Sequence, residues 1–265
     1  MTTMTATTER TLHTRQAVCN FLAGYAASLL SSGATCRRVK TNVGRLSTAF
    51  GIDTILTINT SDISICTAAD PSLPTVSSSA VIPHAGVDFA LNSALSALSW
   101  DTLDNNLTLD AAIDRYNSIL HHRRIGGPLL LVMVTMANVG FCRIFGGDWT
   151  SALIVAFATA IGFHVKNLLL HDHFDMRFVL ILCAFISSVT GSCGYIFDIT
   201  STPEIALGTS VLYLIPGVLY LNSVCDLFDG HTVCAVGRII QSTVMTICIS
   251  LGLILGIGIM NLTTM

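Results

Sequence analysis

Residues 239–265 read IIQSTVMTICISLGLILGIGIMNLTTM, a run in which no side chain is charged. A helix needs about 20 apolar residues to cross the hydrocarbon core of a bilayer, so this run can span a membrane. Four similar segments precede it, at residues 125–142, 149–165, 178–197 and 205–225. The sequence therefore predicts an α-helical membrane protein with five transmembrane helices, the last at 239–259.

Composition points the same way. The chain has 52% hydrophobic and 11% charged residues, whereas soluble globular proteins carry about 25% charged residues. Residues 1–124 hold nine basic and nine acidic residues, so the front of the chain is neutral overall and shows no basic patch typical of nucleic-acid binding. None of the nine cysteines forms a CxxC pair. The sequence predicts no metal site, no disulfide framework and no cofactor.

Residues 1–124 are predicted to form an N-terminal cytoplasmic α/β domain. Helical periodicity predicts two helices, the second ending at Gly51, and a β-hairpin follows between Thr54 and Thr67. Two more helices complete the domain, the last behind Thr108 as N-cap. The prolines of segment 70–74 and the serines after them predict a loop. The periodic apolar positions of the first two helices are Val18, Phe21, Leu22, Tyr25 and Leu29, then Val39, Val43, Leu46 and Phe50.

Loop charges predict the orientation. With the N-terminus in the cytoplasm, five of the six basic residues near span ends lie on the cytoplasmic side, as the positive-inside rule requires. The first 20 residues lack the apolar run of a signal peptide. We therefore expect a multi-pass protein of the bacterial inner membrane with a periplasmic C-terminus. The five cytoplasmic residues are Arg123, Arg124, Lys166, Arg177 and Arg238, and the exception is Arg143.

The fourth segment contains Pro216-Gly217 near its middle. Proline removes a backbone donor, so the pair is expected to kink or break the helix. Broken helices near the bilayer midplane are a recurrent transporter device, because their backbone groups can coordinate polar cargo. The alternative is a packing kink, since proline and glycine are common in membrane helices.

Asn222 and Asp226 follow at a spacing of four, which places them on one helix face. They are expected to form a polar track from the break to the cytoplasmic side. In the alternative interpretation, Asp226 ends the helix in the headgroup region and pairs with Arg238.

Other polar residues of the membrane half have weaker signals. His164 is a candidate proton relay, although a histidine at a span end is more often interfacial. The tract His171-Asp172-His173 resembles a metal-binding sequence, but a solvated turn is the better interpretation. Three further residues are expected to make hydrogen bonds between helices: Thr135, Asn138 and Gln241.

No catalytic motif is visible. His84, Asp88, Cys36 and scattered serines do not form a recognisable triad, and GxSxG, GxGxxG and P-loop motifs are absent from the sequence. An ATP-driven pump of the usual class is therefore excluded for this chain alone. Ion-coupled or passive transport remains.

Motifs along the chain carry a resemblance: Gly33-Ala34, Arg38-Val39, 85–88, 146–149, 214–217, Asn222, Asp226, Gly230, Gly237 and Arg238. Together they resemble the threonine/serine exporter family over residues 15–258. The family's usual Gly-Ala-Glu-Thr run is here Gly33-Ala34-Thr35-Cys36, and Ala85 stands where arginine is common. The resemblance favours a substrate pathway at the fourth span.

The resemblance implies the larger subunit of the family's split form, which has a soluble N-terminal domain and five spans. That form includes bacterial proteins implicated in succinate export. It implies a small-molecule cargo, either a dicarboxylate such as succinate or threonine/serine. We expect the proton gradient to drive the export of this cargo. The alternative function is a membrane-anchored enzyme or ligand sensor whose N-terminal domain is the active part.

The resemblance also implies a second small integral-membrane subunit as partner. An odd number of spans agrees with half of a two-bundle transporter. Polar residues within the spans are expected to need partners other than lipid, and a facing bundle or a homo-oligomer would supply them. These residues are Asn138, Ser187, Ser188, Asn222 and Gln241.

Overall fold

The computed structural model describes residues 2–68, 74–83, 86–121 and 126–260, with side chains from residue 12 onward. The chain divides into two compact units. One, here called the sheet-containing unit, groups Met1–Arg123 with Val218–Ile239, and the other, the helical unit, groups Arg124–Gly217 with Ile240–Met265. The grouping of Val218–Ile239 with the front of the chain is not evident from the sequence.

The described residues form helices and one small sheet. In chain order the elements are α1 Thr2–Ser31, α2 Cys36–Ala49, β1 Thr54–Ile58, β2 Asp62–Thr67, β3 Ser77–Val81, α3 Phe89–Asp104, α4 Leu109–Leu120, α5 Gly127–Ile144, α6 Trp149–His171, α7 Met176–Gly191, α8 Cys193–Ile196, α9 Pro203–Ser210, a 3-10 turn Leu212–Leu214, α10 Gly217–Phe228 and α11 Thr232–Ile259.

The sheet is an antiparallel meander in the order β1-β2-β3. Ile58 pairs with Ile63, and Ser64 pairs with Ser79. Alternate residues of β2 are buried, Ile63 and Ile65 among them, because one face of the sheet packs against α1. Helices and an antiparallel sheet therefore form an α+β arrangement, and the predicted mixture of helices and strands is confirmed.

The serine run after Pro74 was expected to be a loop, and that expectation is wrong. Ser77–Val81 forms β3 and pairs with β2. Serine has low strand propensity, but an edge strand with alternating exposure tolerates polar residues on its outer face. The pairing with β2 determines this strand, and local periodicity does not reveal it. Residues 69–73 of the predicted loop lie outside the described residues.

The core of the sheet-containing unit follows the helical periodicity of the sequence. The Thr108 hydroxyl accepts the Ala111 amide at the start of α4, and Gly51 has a φ of 64° just after α2, so both predicted caps are confirmed. The predicted apolar face of α1 and α2 is buried at Val18, Phe21, Leu22, Tyr25, Leu29, Val39, Val43 and Leu46.

Four described helices are long and apolar enough to cross a membrane: Gly127–Ile144, Trp149–His171, Met176–Ile196 and Thr232–Ile259. The segments Pro203–Leu214 and Gly217–Phe228 pass the same test only together, which makes five spans if they count as one. These helices cover the five segments that the sequence predicts. The result agrees with a multi-pass membrane protein.

Polar residues within the helical unit find partners inside this chain. The Asn138 side-chain amide donates to the Thr159 hydroxyl at 2.6 Å and to the Thr209 carbonyl at 3.1 Å. Ser187 bonds the Tyr213 hydroxyl at 3.0 Å, and Ser188 donates to the Leu253 carbonyl at 3.1 Å. The expectation that these three residues need a facing bundle is therefore wrong, because neighbouring helices satisfy them.

Asp148 caps α6 and organises the loops around it. Its carboxylate accepts the Ser151 amide at 2.6 Å, the Thr200 hydroxyl at 2.7 Å and the Ser201 amide at 3.0 Å. These hydrogen bonds, first that from Ser151, hold the pKa of Asp148 well below its ordinary value. The Gly-Gly-Asp-Trp motif at 146–149 thus starts a helix and ties it to the segment before α9.

Candidate functional site

Three of the predicted site residues converge on one turn of the sheet-containing unit. This turn, residues 32–35, joins α1 to α2 and is called the α1–α2 turn below. Asn222 and Asp226 reach it from α10, and Arg238 reaches it from the first turns of α11. All three make hydrogen bonds with residues 33–36.

Gly33 gives the turn its shape. Its φ is 95°, in the left-handed region that disfavours side chains. Its amide donates to the Leu30 carbonyl and the next amide, of Ala34, donates to the Leu29 carbonyl, which closes the end of α1. A Cβ at Gly33 would lie 2.9 Å from a methyl group of Val87. The position therefore requires glycine both for conformation and for space.

Thr35 is the N-cap of α2, and its hydroxyl accepts the Arg38 amide at 3.3 Å. The first amides of a helix have no partner within the helix. The amide of Cys36, the first residue of α2, is bound by a carboxylate from elsewhere in the chain, since Asp226 Oδ1 accepts it at 2.7 Å. Asp226 thus acts as a second cap for α2, where the positive end of the helix dipole favours a negative charge.

The second carboxylate oxygen of Asp226 forms an ion pair. Arg238 Nη1 donates to Asp226 Oδ2 at 2.6 Å. The Asp226 side chain is fully buried, and that of Arg238 is 13% exposed. Arg238 Nη2 also donates to the Ala34 carbonyl at 2.9 Å. A charge removed from water is tolerated when an opposite charge and hydrogen bonds compensate it, and both conditions hold here.

Asn222 completes the cluster. Its side-chain amide donates to the Gly33 carbonyl at 2.8 Å, so Asn222 and Asp226 point from one helix face to the same turn, as their spacing of four predicts. We call Asn222, Asp226, Arg238 and their bonds to the α1–α2 turn the buried clamp. The pairing of Asp226 with Arg238, one of the two interpretations from sequence, is present.

The link between α10 and α11 also packs on the sheet-containing unit. Gly230 has a φ of 81°, and the His231 amide donates to the Asp226 carbonyl at 2.8 Å. Cys234 Sγ lies 3.2 Å from the Ile58 carbonyl oxygen. A Cβ at Gly237 would clash with the Thr60 side chain. The clamp is thereby braced at the β1–β2 turn.

Cys36 is a poor candidate for a nucleophile. Its thiol shares a hydrogen bond with Cys234, and this bond, burial and the Asp226 carboxylate raise the pKa of Cys36 above its ordinary value. The thiolate is the reactive form, so such a thiol stays inert. Asp88 caps α3 by accepting the Leu91 amide at 3.0 Å, and His84 lies outside the described residues.

Pro216 and Gly217 lie where the helical path is interrupted. Ile215 has an extended backbone, with φ −64° and ψ 128°, as expected for the residue before a proline. The 3-10 turn ends at Leu214 and α10 begins at Gly217. The predicted break of the fourth segment is therefore present, and it coincides with the boundary between the two units.

The remaining candidates lie apart. The His164 side chain is exposed on α6, and its role as a proton relay stays a prediction. His171 and Asp172 are exposed and lie 3.5 Å apart at the end of α6, and His173 has a φ of 60°. This tract is a turn, as the sequence suggests.

The clamp was only half visible in the sequence. The sequence suggests that Asp226 pairs with Arg238. It does not reveal that both residues bind the backbone of residues 33–36. The one signal was that both segments belong to the motifs that carry the family resemblance.

The four or five candidate spans among the described residues indicate a multi-pass membrane protein. Residues 20–260 match the family described as "Putative threonine/serine exporter". The chain belongs to the threonine/serine exporter family.

Two curated relatives carry the name "Probable succinate transporter subunit YjjP". The protein of Escherichia coli (strain K12) is 29% identical over 135 residues, which is 51% of this chain and 53% of the relative. That of Klebsiella aerogenes is 27% identical over 135 residues, 51% of this chain and 52% of the relative. The matched region spans about half the length of these relatives. No solved structure matches the chain.

Proposed function

We propose that this chain is the larger subunit of a two-component inner-membrane exporter for a small polar metabolite, either a dicarboxylate such as succinate or threonine/serine. The family and the names of the two relatives support export of this kind of cargo. The observation that carries the proposal is the buried clamp on the segment that directly follows the break at Pro216-Gly217. An anchor for an enzyme needs neither feature.

In this proposal the five residues have two roles. Pro216 and Gly217 supply backbone groups to the substrate pathway, as broken helices do in other transporters. Asn222, Asp226 and Arg238 hold α10 on the α1–α2 turn. The pathway opens only when these hydrogen bonds break and other partners replace them. We propose that the proton gradient supplies the energy for this exchange.

We propose further that residues 1–124 form a cytoplasmic domain and residues 125–265 the membrane domain. Lys166, Arg177 and Arg238 support this orientation through the positive-inside rule, while Arg123 and Arg124 lie outside the described residues. Residues 218–239 would then be the part of the membrane domain that docks on the cytoplasmic domain.

Cysteine labelling tests the orientation. In a background with all nine native cysteines replaced, a membrane-impermeant maleimide added to intact cells is expected to label Thr264→Cys. It should label Ser72→Cys only after the cells are permeabilised. The permeabilised sample controls for the reactivity of both positions. Labelling of Ser72→Cys in intact cells would contradict the orientation.

The requirement for a second subunit has its own test. Since Asn138, Ser187 and Ser188 have partners in this chain, the requirement rests on the word "subunit" in the relatives' names and on the odd number of spans. Vesicles that contain the purified chain alone are expected to move succinate, threonine or serine no faster than empty vesicles. Robust transport by the chain alone would favour a homo-oligomer and refute the second subunit.

Isolation of the partner protein provides the positive counterpart of that test. The expected partner is a membrane protein of about 150 residues, enough for a few spans of about 20 residues each. Affinity purification of this chain from its own host should recover such a protein. Adding it to the vesicles should restore transport.

A further inference from the structure

A ladder of polar side chains joins α2 to α3 in the sheet-containing unit. Arg38 donates to Asn92 at 2.9 Å, Asn42 donates to Ser96 at 2.9 Å, and Arg45 lies 3.3 Å from the Ser99 hydroxyl. Each pair is separated by 54 residues, so the two helices run parallel with a constant register. Asn42, Asn92 and Ser99 are buried. Such a buried polar seam fixes its members in position.

Four members of the ladder, Arg38, Asn42, Arg45 and Ser96, line an open groove of about 290 Å³. Three arginines line the groove, Arg37, Arg38 and Arg45, together with the ring of Trp100. The guanidinium of Arg45 lies 3.8 Å from the centre of the Trp100 ring, and it also donates to the Asn42 side chain at 2.6 Å. Stacking and hydrogen bonding together hold this cation in one orientation.

The charge of the groove is largely uncompensated. None of the described residues that line it is acidic. Arg37, which is mostly exposed, contacts Asp229 at 3.5 Å, but no carboxylate within the described part of the chain pairs with Arg38 or Arg45. Their partners are neutral amides and hydroxyls, bonded through Nη1. The remaining guanidinium donors can therefore bind oxygens of a ligand.

A solvated arginine face is the plainer explanation, but it does not account for the geometry. Exposed arginines that serve only solubility are usually mobile and unpartnered. Here, buried asparagines bind both guanidinium groups, and the Arg45 group also stacks on the Trp100 ring. One unsatisfied buried atom, the Asn92 side-chain nitrogen, lies in the same ladder. Planar guanidinium groups at fixed positions are the usual recognition elements for carboxylate and phosphate oxygens.

We propose that this groove binds a small dianion, with Arg38 and Arg45 as the principal ligands and Trp100 as one wall. The shared chemistry is a pair of closely spaced anionic oxygen groups, from a dicarboxylate or from a phosphate compound. A dicarboxylate would make the groove a loading or sensing site for cargo. A phosphate compound would make it a regulatory site unrelated to cargo. Binding there does not depend on whether the chain exports anything.

Calorimetric titration of the full chain tests the proposal. The purified protein in phosphatidylcholine nanodiscs, which exclude anionic lipid, is titrated with succinate, inorganic phosphate, pyrophosphate and, as a neutral isostere, succinamide. Saturable binding of succinate or of a phosphate compound is expected, and it identifies the source of the anion. Succinamide should not bind. Absence of saturable binding for all anions would overturn the proposal.

Variants localise the binding. Arg38→Gln and Arg45→Gln are each expected to weaken binding at least tenfold. Lys40→Gln is the matched control, because it removes one positive charge from an exposed position of the same helix that does not line the groove. It should change the dissociation constant less than twofold. Equal weakening by all three variants, or none by the arginine variants, would refute the groove as the site.

Tryptophan fluorescence tests the location of the ligand in a protein that keeps both arginines, so it does not depend on whether the arginine variants fold. The chain has two tryptophans, so Trp149→Phe leaves Trp100 as the remaining one. Its fluorescence should change with the same saturation as the calorimetric signal. A calorimetric signal without any change at Trp100 would place the ligand elsewhere and contradict the proposal.

Discussion

Replacing Asp226 with alanine is expected to destabilise the sheet-containing unit by about 3–5 kcal/mol, the usual cost of leaving a buried charge without its partner. The change removes the counter-ion of Arg238 and the acceptor of the Cys36 amide. Thermal unfolding of the full chain in detergent should show the loss. Hydrogen exchange should accelerate in peptides that cover residues 32–38 and 218–239.

The neighbouring acid provides a matched control. Asp229 pairs with the mostly exposed Arg37 at 3.5 Å, and surface pairs of this kind contribute about 0–1 kcal/mol. Asp229→Ala should therefore leave exchange in both peptides nearly unchanged. If Asp226→Ala proved no more harmful than Asp229→Ala, the buried clamp would not stabilise the fold.

The double variant Asp226→Leu/Arg238→Met separates charge from packing. Apolar residues in place of a buried ion pair remove the unpaired charge, so the double variant should be more stable than Asp226→Ala. Recovery should be incomplete, because the Cys36 amide and the Ala34 carbonyl still lose their partners. Such a variant would also lack the ion pair of the buried clamp and should not export.

The sequence predicts those parts of this protein that depend on near neighbours. The shared face of Asn222 and Asp226 follows from a spacing of four, and the extended Ile215 follows from the proline after it. The apolar faces of α1 and α2 follow from helical periodicity. Each of these features depends on residues within about two helical turns.

The features that escaped prediction depend on distant partners. Asp226 meets Cys36 across 190 positions of the chain, and Arg238 meets Ala34 across 204. Pairing with β2, not its own sequence, makes Ser77–Val81 a strand. Hydrophobic periodicity contains no information about such partners. The partners of Asn138, Ser187 and Ser188 on neighbouring helices are equally invisible in the sequence, so these residues do not support a second subunit.

The sequence does not predict the basic groove, for a different reason. The front of the chain is neutral overall, with nine basic and nine acidic residues in 1–124. Net charge averages over the surface, whereas binding depends on the local arrangement of charges. The spacing of Arg38 and Arg45 places them two turns apart on α2, but Trp100 and the serines come from α3.

Replacing Pro216 and Gly217 together by leucine is expected to reduce export to the level of cells without the protein. Leucine at both positions restores the missing backbone donor and favours a continuous helix across residues 215–217. A continuous helix removes the backbone groups proposed to line the pathway. Export of succinate, threonine and serine from loaded cells measures the effect, and the labelling of Thr264→Cys shows whether the variant still inserts.

Two substitutions elsewhere serve as controls for proline and glycine themselves. Pro128 lies in the first turn of α5, where proline is compatible with the helix. Gly208 lies within α9, and a Cβ there would meet no atom within 4 Å. Pro128→Leu and Gly208→Leu should therefore leave export close to normal. If the double variant at 216–217 exported at the normal rate, the break would be a packing feature, and the pathway would have to lie along other helices.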